Sequence, residues 1–161
     1  MKITWKNIED KKPCAEALTW GREKYNGIGE IERVELIKNL ISEGRIDWAN
    51  WIITRLMSHN QQVKYAIFAA EQVIGIYEKR CPKDDRPRKA IQAAEDYLAG
   101  KIDKKASAYA ADAAADSAAD AAYAAYSAAD AAADAAADAA KKKMKLKILD
   151  FGITLLREEP R

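Results

Sequence analysis

Hydrophobic positions along this chain recur at helical spacing, and strand-type alternation is absent. Pro13 suits a first helical turn and opens a helix carrying Leu18 and Trp20, which Gly27 and Gly29 then break. A second helix fits Ile31 to Ser42, with Ile31, Val34, Ile37 or Lys38, and Ile41 on one side and Gly44 closing it. Asp47 is placed to cap a third helix, which brings Trp48, Trp51, Ile52, Arg55 and Leu56 round at helical spacing. Ser58 or Asn60 suits the start of a fourth. Its apolar positions Val63, Ile67, Ala70, Ile74 and Tyr77 step by four and three, and Cys81-Pro82 ends it. Asp85 can cap and Pro87 can sit early in the next helix, whose inner face is Ile91, Ala94, Tyr97 and Leu98 and whose stop is Gly100. Met144, Ile148, Phe151 and Leu155 step four, three, four in the tail.

Between Ala106 and Ala140 the pattern gives way to alanine, broken mainly by Asp112, Asp116, Asp120, Asp130, Asp134 and Asp138, by Tyr109, Tyr123 and Tyr126, and by Ser107, Ser117 and Ser127. Alanine loses no side-chain entropy on ordering and is the best helix former. No Gly or Pro occurs from Asp103 to Phe151. One continuous helix of about 50 residues would be roughly 75 Å long, too long for a compact domain of this size. A break near a serine suits such a domain better, since Ser117 and Ser127 each precede an Asp by three residues, as in a capping box. In a continuous helix, all six aspartates would fall in a stripe about 80° wide, opposite a flat alanine face. That face can pack inside the monomer or against a second copy.

These elements predict an all-α fold. It would be a compact bundle or helical array of about six to eight helices with an alanine-rich C-terminal helical region. We read 1–161 as a single domain, with a Trp-bearing helical core over 1–100 and an Ala/Asp-rich helical region over 101–157. Alanine inflates the 49% apolar fraction, so the core must come mainly from the first hundred residues and the tail. The net charge of +2 argues for neither nucleic acid nor an anionic membrane. Cys14 and Cys81 are far apart in sequence, and the opening Met1-Lys2-Ile3-Thr4-Trp5-Lys6 lacks a signal peptide's apolar run, which predicts reduced thiols and a cytoplasmic protein.

Candidate chemistry is sparse. The aspartate stripe reads first as a solvated face and next as a surface for a basic partner. Aspartates on one helix do not wrap a metal ion without a second liganding segment, and no cofactor or metal is expected. Arg86, Arg88 and Lys89 stand at a helix start, where free N–H groups already favour anions, so they are the best candidates for ligand or partner binding. Pairing with carboxylates of this chain competes for the same groups. Tyr97, Trp48 and Trp51 are the aromatics available for stacking, although core packing is the commoner use of such tryptophans. The single histidine, His59, has no cysteine–histidine cluster, and neither a nucleophile motif nor a phosphate-cradling glycine loop occurs.

Trp48-Ala49-Asn50-Trp51 after Asp47, then Asp85-Arg86-Pro87-Arg88-Lys89-Ala90-Ile91, then an alanine tract with Asp and Tyr, resembles the alanine-rich putative immunity protein family. Cys14-Ala15-Glu16-Ala17-Leu18 fits its pattern, so the resemblance runs from about Cys14 to Ala140. The lysines after Ala140 have no counterpart in it. The family occurs in bacteria and phages and is similar to predicted immunity proteins of toxin systems. The resemblance implies an all-α, non-catalytic protein that neutralises a protein toxin or defence effector by occupying it. It supplies no binding residues. From the residues themselves, the surfaces to test are the Arg86/Arg88/Lys89 corner and the aspartate stripe. An alternative from another class is a phage-type sponge for an anionic nucleotide messenger, with Arg86, Arg88 and Lys89 on phosphates and Tyr97 or a tryptophan on the base.

Overall fold

A computed structural model describes residues 1–25, 27–103 and 134–158. Among them are seven helices and one two-stranded antiparallel ladder, so the fold is all-α with a minimal sheet. The elements are β1 (Lys2–Ile3), α1 (Trp5–Glu9), α2 (Ala15–Tyr25), β2 (Ile31–Glu32), α3 (Arg33–Ser42), α4 (Ile46–Leu56), α5 (His59–Arg80), α6 (Arg86–Leu98) and α7 (Asp134–Arg157). They fall into two compact units, Met1–Ser58 with Leu149–Arg161, and His59–Ile148.

The first unit is built on short, well-capped pieces. Thr4 and Asn7 form a reciprocal capping box at the start of α1, so even this five-residue helix has its first donors satisfied. The ladder pairs Lys2 with Glu32 and Ile3 with Ile31, and both isoleucines turn into the core. It corrects the expectation of no strand and moves the start of α3 from Ile31 to Arg33. At the end of α3, Gly44 adopts φ +74°. The N–H of Gly44 reaches the Ile41 carbonyl and that of Arg45 the Leu40 carbonyl, at 3.0 and 2.8 Å. This is the left-handed stop that glycine accepts without a Cβ penalty. The chain re-enters a helix two residues earlier than expected. Arg45 is the N-cap of α4 with no side-chain cap bond, and Asp47 lies inside the first turn.

The core of this unit is aliphatic. Leu36, Ile37 and Leu40 from α3 meet Ala49, Ile52 and Ile53 from α4, with Ile37 and Ile53 wholly buried. Leu149, Ile153, Leu155 and Leu156 of α7 are buried too. Of the expected tail stripe, Leu155 is buried while Met144, Ile148 and Phe151 are half-buried, and the neighbouring Leu149 is the deepest residue of α7. Neighbouring apolar pairs such as Ile148-Leu149 and Leu155-Leu156 give a broad face, and periodicity alone does not choose its centre.

In the second unit α5 packs on α6. Ile74 and Tyr77 are buried as their spacing predicts, and so are Tyr65 and Gln61, which the stripe had omitted. α5 stops at Arg80 before Cys81-Pro82, and Gly100, at φ +71°, ends α6 by the same paired backbone bonds as Gly44. Asp112, Asp116, Asp120 and Asp130, with the question of one helix or several across the alanine tract, lie outside the described residues. Asp134 opens the described part of α7. Asp138 is exposed there, 3.7 Å from Lys141.

Candidate functional site

The basic corner at the start of α6 is a set of ion pairs. Asp84 sits two residues before Arg86 in the turn that follows α5. Its carboxylate accepts from the Arg86 backbone N–H at 3.1 Å and takes the Arg86 guanidinium as a fork, at 2.9 and 2.6 Å. Tyr77 Oη donates to the same carboxylate at 2.5 Å. Thus Asp84, not Asp85, satisfies the helix start; Asp85 holds the N-cap position without a side-chain cap bond and pairs with Lys89 at 2.8 Å. Arg88 forks onto Glu78 of α5 at 2.9 and 2.8 Å. All three sequence-predicted cations therefore already hold a carboxylate of this chain.

The electrostatics follow from that geometry. The Arg86 guanidinium, helped by the Tyr77 hydroxyl, holds the Asp84 carboxyl well below the usual carboxylate range. Reciprocally, its hydrogen bond to Asp84, reinforced by burial, pushes Tyr77 up to about 12. Tyr97 lies elsewhere on α6 and meets His59 edge-on, at 5.7 Å between ring centroids. Among the described residues, no hydrogen bond, ion pair or ring contact joins Tyr97 to the Arg86 corner. Trp48 and Trp51 belong to the other unit.

There the structure shows what periodicity could not. All four tryptophans of the chain, Trp5, Trp20, Trp48 and Trp51, line one pocket of about 290 Å³. Trp48 and Trp51 are one helical turn apart on α4. Trp5 comes from α1 and Trp20 from α2, and Leu36 and Leu40 of α3 also contribute to the wall. All four rings are half-buried. Gly21 lets α1 approach α2: a Cβ at this position would lie 1.7 Å from the Trp5 ring. Trp5 Nε1 donates to Glu9 at 3.1 Å and Trp20 Nε1 to Glu43 at 2.7 Å. Arg45 stacks on Trp48 at 4.1 Å and Arg55 on Trp51 at 4.0 Å. The i, i+3 spacing of Trp48 and Trp51 was the available sequence signal; convergence with Trp5 and Trp20 is a tertiary property.

Among the described residues, no group of three or more potential ligands could hold a metal ion, and no helix is long and apolar enough to cross a membrane. Cys14 and Cys81 are free thiols.

The family model described as "Imm-5 like putative immunity protein" matches residues 53–160. The chain belongs to that family. Its description points to an immunity role, and so to a partner protein. The match covers α5, α6, the Asp85–Ile91 element and the alanine tract. It also takes in the lysines after Ala140. It leaves out Cys14–Leu18 and Trp48–Trp51, which the sequence resemblance had included. Comparison with curated proteins and with solved structures gives no match.

Proposed function

We propose that this protein is a non-catalytic immunity protein. It binds a protein toxin or defence effector in the cytoplasm of a bacterium, or of a cell infected by a phage, and blocks it by occupancy. The family match over 53–160 is the observation that carries this reading. The matched segment includes the Arg86, Arg88 and Lys89 corner and the aspartates from Asp112 to Asp138, the charged surfaces assigned here to the partner. Exposed ion pairs such as Arg88–Glu78 and Lys89–Asp85 contribute little to folding, about 0–1 kcal/mol each. A protein partner bringing complementary charges of both signs can exchange them at small cost and gain on-rate and register. An anionic nucleotide would instead have to displace three seated carboxylates and offer no cation to receive them. This favours the protein partner over the nucleotide sponge.

Co-expression tests the proposal. Products of the genes adjacent to that of this chain are expressed in a sensitive host, with and without it. Restored growth, with a stoichiometric complex seen by native mass spectrometry, is the expected result. Protection without a complex, or protection that consumes a small molecule, overturns blocking by occupancy.

A further inference from the structure

We infer that the chain self-associates through α5, pairing the stripe of Ala66, Ala69, Val73 and Ile76 antiparallel with the same stripe of a second copy. Within its unit α5 has two solvent faces, on opposite sides. α6 lies along one flank, with Arg88 on Glu78 and Tyr97 against His59. On the other flank Lys147 of α7 lies 6.0 Å from the Phe68 ring. Of the two faces left between these flanks, one is polar and carries the exposed Lys64 and Glu71. The opposite one is apolar. Val73 and Ile76 are 41% and 49% exposed on it, and among the described residues of this unit they are the only exposed large hydrophobic side chains. Ala66 is exposed beside them and Ala69 half-buried. At 100° per residue the four fall within about 80° of one another, and Lys64 and Glu71 fall diametrically across. A helix face that meets water is normally polar, so an apolar stripe of this kind marks a seat for another helix.

Spacing and size identify the occupant. The four residues step by three, four and three, the a and d spacing at which two helices mesh side chains. None of them is charged, so a partner recognised by charge finds no complement here. A second copy does. The small residues occupy the N-terminal half of the stripe and the large ones the C-terminal half. A two-fold axis between Ala69 and Val73 sets Ile76 of each copy against Ala66 of the other, and Val73 of each against Ala69 of the other. Every layer then joins one large and one small side chain, the arrangement that lets facing layers interdigitate. A parallel pair would stack alanine on alanine at one end and isoleucine on isoleucine at the other, and the helices would splay. The antiparallel contact is isologous, so it closes on itself as a dimer. One stripe of four side chains covers less than the roughly 800 Å² per partner of a stable interface, so the dimer is weak, with a dissociation constant on the order of 10–100 μM. The inference does not rest on the immunity reading.

Analytical ultracentrifugation of the full chain from about 1 to 500 μM tests it, a range that brackets the expected midpoint. A reductant keeps the free thiols Cys14 and Cys81 from cross-linking copies. The expected result is a reversible monomer–dimer equilibrium. Ile76→Glu and Ala66→Lys should each weaken it by about tenfold or more, because each sets a charge against an apolar side chain. Mixed in equal amounts, the two variants should dimerise again, since the antiparallel register places the new carboxylate of one against the new ammonium of the other. Glu71→Lys, on the opposite face, should leave the equilibrium unchanged. Circular dichroism checks that the variants fold; should one fail to, the concentration series on the unaltered chain carries the test. A chain that stays monomeric to about 500 μM overturns the inference, and is the result expected if a different protein or another segment of this chain covers the stripe. A dimer that Ile76→Glu and Ala66→Lys leave intact overturns it too, as does a mixture that associates no better than either variant alone.

Discussion

The two units use arginine in opposite ways. In the first, Arg45 and Arg55 lie on indole faces beside an apolar pocket, and Arg55 has no described carboxylate. In the second, Arg86 and Arg88 fork onto Asp84 and Glu78, and the charge is neutralised where it stands. A guanidinium on an aromatic face keeps its outward electrostatic reach, whereas one in a bidentate pair gives most of it up. The family match covers the paired arginines and, of the stacked ones, takes in Arg55 but not Arg45.

The cores differ in the same direction, and the largest expected effect tests that. Ile53 is wholly buried among aliphatic side chains, whereas the most buried described residues of the second unit, Tyr65, Ile74, Tyr77 and Ala90, keep 5–7% exposure. Ile53→Ala should cost about 2–5 kcal/mol, and Ile74→Ala less, because a site with some solvent contact leaves a smaller cavity. Denaturant unfolding of the two variants measures the difference. Equal costs would remove the contrast between the cores.

Gly21→Ala is next. The new methyl group overlaps Trp5, which is held by Glu9 and stacked on Tyr25 at 6.2 Å, so the ring must leave its seat. Overpacking costs about 1–3 kcal/mol and the better helix propensity of alanine returns part of it, for a net loss of about 1–2 kcal/mol. A shifted tryptophan emission spectrum should accompany the loss. Unchanged emission would mean that Trp5 does not need this glycine.

The Tyr77–Asp84–Arg86 cluster predicts a pH response. Asp84 is more acidic folded than unfolded, so its contribution is present above the ordinary carboxylate value, about 3.9, and is lost as pH falls through its lower folded value. Tyr77 is less acidic folded, so its contribution is complete below about pH 10 and fades as pH rises toward 12. Tyr65 is also pushed up to about 12, by burial alone. Burial pushes Tyr25 up as well, so phenolate absorbance should show Tyr25, Tyr65 and Tyr77 among the late-titrating tyrosines. Asp84→Asn should bring Tyr77 back toward its ordinary value and leave Tyr65 late. If both move, the hydrogen bond is not the cause. At the same corner, Arg86→Glu with Arg88→Glu should slow association with a neutralised partner by about tenfold or more at low salt. An unchanged on-rate would place the partner elsewhere.

Much of this architecture was legible in the residues, and the gaps have physical causes. Gly44, Gly100 and Cys81-Pro82 marked helix ends correctly, because a left-handed stop and a missing N–H are local constraints. The ladder of Lys2–Ile3 with Ile31–Glu32 was illegible, since two residues cannot display an alternating pattern. Asp84 was passed over for Asp85 because capping was read from position, while the turn after Cys81 aims the earlier carboxylate back at Arg86. Of the pocket, only the α4 pair was visible. Trp5 and Trp20 reach it through the packing of α1 and α2, and the glycine that allows this carries no side chain to signal it.

The smallest effect separates the two kinds of arginine most cleanly. Arg55→Gln and Arg88→Gln should each change stability by no more than about 1 kcal/mol, because an exposed cation–π contact and an exposed ion pair contribute similarly little. Collisional quenching should still tell them apart. Iodide is drawn by positive charge, and Arg55 sits 4.0 Å above Trp51. Removing that guanidinium should lower iodide quenching of tryptophan emission while leaving quenching by neutral acrylamide unchanged. Arg88→Gln should alter neither, because Glu78 already offsets Arg88 and no tryptophan lies in its unit. Equal iodide quenching in the Arg55 variant and the unaltered chain would mean that the guanidinium on Trp51 projects no usable charge, and the contrast between stacked and paired arginines would fail at its most exposed point.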